Sequence, residues 1–429
     1  MSRIALPPPH ARNATVDLPG DKSISHRALM CGSIALGEST IRNANRGADV
    51  MSTLEALRAL GVPIDTAGDA IRILGVEAFA DPRVPIDCGN SGSTMRMLTG
   101  LIAGRVDATL DGDESLRRRP MRRVAEPLRQ MNADVSTSDG GLPPLTVRRV
   151  DAPLQGRQIS MDVASAQVKT AILFAGLRAA GETSVFERYE TRDHTERMLS
   201  EMGADITIRR GWTTVRPSRL RAVSELIVPG DFSAAFFFIT AAAVLPESRM
   251  VVRNVGLNPT RTAALDVVIR MGAAVDVTNE RVLNGEPIAD IVVTGGSPLT
   301  ARPVREETVA NLIDEIPALC ALAASASGDF SIRGAGELRS KESDRVATTV
   351  GLLRSFGIAV DEHDDGITVH GGRPLSPPAR VDSHGDHRIG MSAAVLAAGA
   401  GASIEIDDSD CIATSFPGFE QTWRSAFAG

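Results

Sequence analysis

The stretch "GDKSISHRALMCGSIALGESTIRN" (residues 20–43) returns, much altered, as "GDFSAAFFFITAAAVLPESRMVVRN" (230–254). Both open on Gly-Asp and run through an apolar segment long enough for a helix. Both then turn on small residues and close on a short β-like stretch ending in Arg-Asn. What the two share is a frame. What only the first carries is Lys22, His26 and Arg27. A frame used twice reads as structure, and polar cargo used once reads as chemistry.

The frame extends to six copies. The others are "GNSGSTMRMLTGLIAGRVDATLDG" (89–112), "SAQVKTAILFAGLRAAGETSVFER" (165–188), "IDEIPALCALAASASGDFSIRG" (313–334) and "GDHRIGMSAAVLAAGAGASIEID" (385–407). Most are followed by a second, amphipathic helix with i, i+3, i+4 apolar spacing that stops at a Gly. "TLEALRALGVPID" (53–65) and "ALDVVIRMGAAVD" (264–276) show the pattern. Six strand–helix–strand–helix copies predict an α/β chain of two three-fold domains. The two Pro-Gly-Asp sites, at 19–21 and 229–231, are the expected crossings. One domain is then continuous over 21–229, and the other is assembled from 1–20 and 230–429. A hinge with two crossings predicts an active site in the cleft between the domains.

Composition narrows the class. A chain of 429 residues exceeds one ordinary core, in keeping with two domains. A net charge of −7 and 3% aromatics exclude a nucleic-acid surface, which needs a basic face and stacking platforms. The longest apolar run, Phe232 to Leu245, is broken by Ser233 and Thr240 and falls short of the roughly 18 residues of a membrane span, so it predicts a buried helix and no membrane. Cys31, Cys88, Cys320 and Cys411 lie far apart with no C-x-x-C pair, which argues against a disulfide framework or a metal site. The opening "MSRIALPPPH" lacks a signal-peptide core. A cytoplasmic chain is the expectation, and a monomer. Lys occurs only at positions 22, 169 and 341; every other one of the 46 basic residues is Arg. A compact ammonium with three donors is not equivalent to a planar guanidinium, so each Lys invites a reason.

The helix openings differ in what they carry. Ser, Asp, Asn or Gly at each start is an N-cap, and several such starts converging would also bind anions. Ser23 and Arg27 lie one turn apart on a common face. "CGNSGSTMR" (88–96) is a hydroxyl-rich, Gly-flanked loop entering a helix. "SLRRRPMRR" (115–123) reads alone as a solvated basic loop. "SAQVK" offers Ser165 and Gln167 at a helix start. The two acids of "LIDEIP" (312–317), set into an otherwise apolar helix beginning, read alone as a match to the helix dipole. "SKESDR" (340–345) and "HGDHR" (384–388) place cations at helix starts, where the macrodipole disfavours them unless an anion or carboxylate offsets it. G-x-x-x-x-G-K-[ST] and G-x-G-x-x-G are both absent. Many cations, several hydroxyls and a few acids suit small, multiply charged phosphates and carboxylates.

In order and spacing, "LPGDKSISHR", "GNSGSTMR", "RRPM", "SAQVK", "TRDHTERML", "IDEIP", "KESDR" and "GDHRIGM" resemble the EPSP synthase family, nearly end to end. The resemblance implies a two-domain inside-out α/β barrel, each domain three copies of a βαβαββ-type unit. It implies transfer of the enolpyruvyl group of phosphoenolpyruvate to the 5-hydroxyl of shikimate 3-phosphate, with no metal and no organic cofactor. Carried over position by position, Lys22, Ser23, Arg27, Ser165, Ala166, Gln167, Arg192, Asp314 and Lys341 match shikimate 3-phosphate contacts. Lys22, Gly92, Arg119, Gln167, Arg345 and Arg388 match the phosphoenolpyruvate pocket, which the inhibitor glyphosate also occupies. Asp314 corresponds to the proton acceptor, Glu342 to a second acid–base carboxylate, and Lys22 joins them as catalytic. Thr414 stands where some members have Lys, Ser340 where Val is common, and Glu337 where some have Asn. Two rivals fit less well. The UDP-N-acetylglucosamine enolpyruvyl transferases carry a loop Cys in the region matching 105–123, which has none here. A non-catalytic anion binder on the same scaffold gains nothing from Asp314 and Glu342.

Overall fold

Twelve helices carry the repeats in the computed structural model, which describes residues 2–428. By packing, the chain divides into two units: Gly20–Val228 with Leu283–Glu286, and Met1–Pro19 with Pro229–Val282 and Pro287–Gly429. Leu283–Glu286, assigned from the repeats to the discontinuous domain, thus group with the continuous one.

In the unit of Gly20–Val228 the helices are α1 (Lys22–Ile34), α2 (Ala48–Ala59), α3 (Gly92–Ile102), α4 (Arg122–Gln130), α5 (Ala166–Gly176) and α6 (His194–Glu201). Helices α1, α3 and α5 are buried on nearly every side. Their apolar residues are spread around the helix rather than along one stripe, and the polar groups buried with them are hydrogen-bonded, as Ser25 is to the Asp21 carbonyl and Thr99 to the Met95 carbonyl. Helices α2, α4 and α6 bury one face only. Three four-stranded sheets accompany them. Their strand orders are Leu226–Ile227, Glu38–Arg42, Ala70–Leu74, Ile64–Asp65; then Ile86–Asp87, Ala108–Asp111, Leu142–Arg148, Asp134–Ser138; and Gln158–Ser160, Thr183–Phe186, Trp212–Val215, Ile206–Arg209. In each, the first pair is parallel and the others antiparallel. Along Glu38–Arg42 buried and exposed residues alternate, so the sheet shows one face to water. Helices lie inside and sheets outside, the reverse of the usual α/β layering.

The second unit repeats the plan with α7 (Phe232–Val244), α8 (Ala263–Arg270), α9 (Ile316–Ala324), α10 (Arg345–Ser355), α11 (His387–Ala400) and α12 (Phe419–Phe427). Here α7, α9 and α11 are the buried helices. The apolar run from Phe232 is indeed a buried helix rather than a span; among the described residues no helix is long and apolar enough to cross a membrane. The N-terminal strands are drawn into this unit. Asn13–Val16 pairs in parallel with Arg249–Gly256, and Arg3–Leu6 pairs antiparallel with Ile404–Asp407. Phe238 of α7 packs against Phe416, Phe419, Trp423 and Phe427, with ring centroids 5.5–6.2 Å apart, which ties α12 to the core.

The shared frame is explained by capping. Asp21 accepts from the Ile24 amide at 2.8 Å, and Asp231 from the Ser233 amide at 2.7 Å. A Cβ on Gly20 would lie 1.7 Å from the carbonyl oxygen of Asn43, so the approach of backbone to backbone demands glycine there. The second helices stop where glycine supplies a left-handed turn, as at Gly272 with φ 105°.

Candidate active site

In the unit of Gly20–Val228, the starts of α1, α3 and α5 carry the polar side chains. Lys22, the first residue of α1, pairs with Asp49 on α2 at 2.9 Å. One turn beyond Ser23, Arg27 is buried, and its guanidinium is held on three sides. Nη1 donates to the Ser23 carbonyl (2.9 Å), Nε to Thr195 Oγ1 (2.7 Å) and Nη2 to Thr170 Oγ1 (3.0 Å). Arg192 Nη1 reaches Ser23 Oγ at 3.4 Å. Burial lowers Arg27 to about 10, with Glu196 opposing the shift and Arg192 adding to it. Two guanidiniums thus meet at one serine, a donor arrangement that suits a phosphate.

Ser165 caps α5 through the Val168 amide, and Ala166 is the first residue of that helix. Gln167 is gripped from α3: Arg96 Nη1 donates to its Oε1 (2.7 Å), and its Nε2 donates to Ser93 Oγ (2.8 Å). Gly92 opens α3, and a Cβ there would meet Arg96 Nη1 at 3.0 Å and Arg119 Nη1 at 3.4 Å. Arg119 is buried and donates to Asn90 Oδ1 (2.5 Å). Its neighbours differ: Arg117 pairs with Asp111, Arg118 with Glu114 and Arg122 with Glu126, all exposed. The basic loop is mostly neutralised surface, with one Arg turned inward.

In the second unit the acid of interest is Asp314. Arg345 Nη1 lies 3.4 Å from its carboxylate, Arg388 Nη2 3.8 Å and Lys341 Nζ 3.9 Å. Arg345 is fully buried and also binds Asp386 (2.8 and 3.2 Å) and Glu342. Burial alone would push Arg345 down and Asp386 up. Their mutual attraction prevails, raising the arginine and lowering the acid, so both stay charged. The cations predicted at unfavourable helix starts therefore have carboxylate partners: Arg345 opens α10 but leans on Asp386, the cap of α11.

The two acids of "LIDEIP" part company. Glu315 is buried, where it pairs with Arg261 (2.6 Å) and accepts from Ser233 Oγ (2.5 Å). Arg388 Nη1 donates to Ser233 Oγ (3.0 Å) and to the Asp314 carbonyl (2.7 Å). Glu315 thus anchors the cluster while Asp314 faces its cations. Removing one member of a buried pair strands the other, so Arg261→Met is expected to destabilise this unit by about 3–5 kcal/mol in urea denaturation. A loss below about 1 kcal/mol would refute the anchoring role.

Arg96, Asp49, Asp386, Ser233 and Arg261 escaped the sequence reading, and Glu315 entered it only as the second acid of "LIDEIP". For Ser233 a signal existed: it occupies the frame position of Ser23. Thr414 donates to the Cys411 carbonyl (2.6 Å), Ser340 donates to the Glu337 carbonyl (3.1 Å), and Glu337 lies 3.8 Å from Lys341. Among the described residues no His, Cys, Asp and Glu group is arranged to hold a metal ion.

The profile of the EPSP synthase family (3-phosphoshikimate 1-carboxyvinyltransferase) matches residues 7–423. The chain belongs to the EPSP synthase family. The 3-phosphoshikimate 1-carboxyvinyltransferase of Geobacter metallireducens is 45% identical over 423 residues, 98% of each chain. An EPSP synthase structure from Acinetobacter baumannii superposes with a TM-score of 0.88 at 38% identity, covering 100% of this chain and 99% of that one. The enolpyruvyl transferase NikO from Streptomyces tendae, at 16% identity and a TM-score of 0.78 over 98% of this chain and 96% of that one, shares the fold alone. The two-domain inside-out α/β architecture is that of the EPSP synthases.

Proposed function

We propose that the chain transfers the enolpyruvyl group of phosphoenolpyruvate to the 5-hydroxyl of shikimate 3-phosphate, releasing phosphate, as an enzyme of the shikimate pathway. The observation that carries this reading is Asp314, a carboxylate set among Arg345, Arg388 and Lys341 with Glu342 on the same arginine. Both substrates are polyanions, and a dense cation cluster offsets the repulsion of bringing them together. The chemistry needs proton carriers as well. The hydroxyl loses its proton as its oxygen bonds to C2, while C3 gains one; the adduct then returns the C3 proton and expels phosphate. Asp314 accepts from the hydroxyl, and Lys22 and Glu342 serve the C3 and leaving-group transfers.

Ser23, Arg27, Ser165, Ala166, Gln167, Arg192 and Lys341 hold shikimate 3-phosphate in this proposal. Gly92, Arg119, Arg345 and Arg388, with Lys22 and Gln167, hold phosphoenolpyruvate. All four cysteines are free, and burial pushes Cys31 and Cys320 up to about 12, inert thiols that support a reducing, cytoplasmic setting. Phosphate release measured with both substrates, and with each alone, tests the reaction. Release must require both, and release from phosphoenolpyruvate alone would refute the transfer.

We further propose sensitivity to glyphosate, which is slightly longer than phosphoenolpyruvate and shares its pocket. A methyl at Gly92 would sit 3.0 Å from Arg96 Nη1 and 3.4 Å from Arg119 Nη1, a crowded spot in which a longer ligand feels the added group first. Gly92→Ala is expected to raise the glyphosate inhibition constant far more than the KM for phosphoenolpyruvate, with overpacking costing about 1–3 kcal/mol. Equal losses for inhibitor and substrate would show that Gly92 does not wall this pocket.

A further inference from the structure

Lys169 is one of only three lysines in the chain, lies nowhere in the proposed contacts, and is fully buried on α5. Its ammonium has three acceptors: Glu187 Oε2 and Glu196 Oε1, each at 2.6 Å, and the Thr191 carbonyl at 3.4 Å. Those acceptors come from the loop after strand Thr183–Phe186 and from the first turn of α6. A second hydrogen bond, from the Thr191 hydroxyl to Glu187, closes the loop on itself. Three tetrahedral donors match three acceptors, which a planar guanidinium does not reproduce.

The neighbours of this triad are the residues that shape the first cation cluster. Thr170 follows Lys169 and Thr195 precedes Glu196; both accept from Arg27, and they bond each other at 2.5 Å. Arg192 follows Thr191. The triad therefore fixes, one residue away, each chain segment that sets Arg27 and Arg192. Glu196 is also the acid that opposes the depression of Arg27, while burial raises its own pKa against the pull of Lys169. Stability alone gives little reason to keep the triad. A buried ion triad gains little over apolar packing, and Glu196 Oε2 lacks a hydrogen-bond partner.

We propose that Lys169, through Glu187 and Glu196, is a positioning residue that sets Arg192 and Arg27 for the phosphate-bearing substrate without touching it. This rests on the reading of Arg27 and Arg192 as shikimate 3-phosphate ligands. The test compares Lys169→Met, Lys169→Arg and Glu187→Gln with the parent, measuring kcat, both KM values and Tm. Arg27→Gln serves as the control for the subsite. Lys169→Met is expected to raise the KM for shikimate 3-phosphate about tenfold, with the KM for phosphoenolpyruvate held within about twofold. Lys169→Arg and Glu187→Gln are expected to raise the same KM by about three- to fivefold while keeping Tm closer to the parent, so they decide the matter if the Met variant does not fold. A packing role would move Tm and neither KM. If Arg27→Gln raises the shikimate 3-phosphate KM while the Lys169 and Glu187 variants leave it unchanged, the positioning role is refuted and the subsite stands. If Arg27→Gln also leaves it unchanged, the subsite falls and the positioning role with it.

Discussion

Asp314→Asn is expected to cut turnover roughly 10²-fold or more while leaving shikimate 3-phosphate affinity within a few-fold, the scale of losing a general base. The substitution is isosteric, and the arginines around it keep other partners when the charge is lost. Arg345 keeps Asp386 and Glu342, and Arg388 keeps the backbone carbonyl of residue 314 and Ser233. Glu315 goes on anchoring Arg261. Removing one negative charge from the cation cluster also favours an anionic ligand slightly, so a fall in kcat without a rise in Kd separates proton transfer from binding. Calorimetry with shikimate 3-phosphate and single-turnover phosphate release give the two numbers. Unchanged turnover would remove Asp314 from the chemistry.

Lys22→Arg is expected to lower kcat by roughly 10²-fold although the charge is retained, because a bulkier guanidinium misplaces the reacting groups and does not readily yield a proton. The fold gives this substitution room to be interpreted. Asp21 still caps α1, and a guanidinium can still pair with Asp49, so the helix start survives. The frame supplies an internal contrast. At the matching position of the other copy stands Phe232, buried beneath Arg261, so the frame itself does not require a cation there. Steady-state kinetics of a variant with parental Tm measures the effect. Near-normal activity would make Lys22 a generic cation.

The repeat was legible because its signals are local. Caps, apolar helices and glycine stops each lie within a single segment, and the six sheets follow from their recurrence. The cations at helix starts were legible as anomalies, since a dipole argument marks Arg345 as misplaced before any partner is known. What the sequence hid were the partners. Asp386 lies 41 residues from Arg345, Thr195 lies 168 from Arg27, and Ser233 lies 155 from Arg388. Which acid of "LIDEIP" faces its cations depends on how the short helical turns before α9 roll, a matter of packing rather than spacing. Arg119 was separable from its four arginine neighbours only through the resemblance, because composition gives no sign of which one turns inward.

The way the strands are distributed along the chain has a consequence for synthesis on the ribosome. The unit of Gly20–Val228 closes its first sheet when Leu226–Ile227 arrives to pair with Glu38–Arg42, so nearly all of it can fold in a single pass. The other unit cannot. Asn13–Val16 emerges early but finds its partner only at Arg249–Gly256, and Arg3–Leu6 waits for Ile404–Asp407. At ordinary elongation rates the first wait lasts roughly ten to fifty seconds and the second roughly twenty to eighty. Through that interval the N-terminal strands are edges without neighbours, the form most open to a chaperone or to another nascent chain. A chain cut short before Ile404 would leave Arg3–Leu6 in that state permanently.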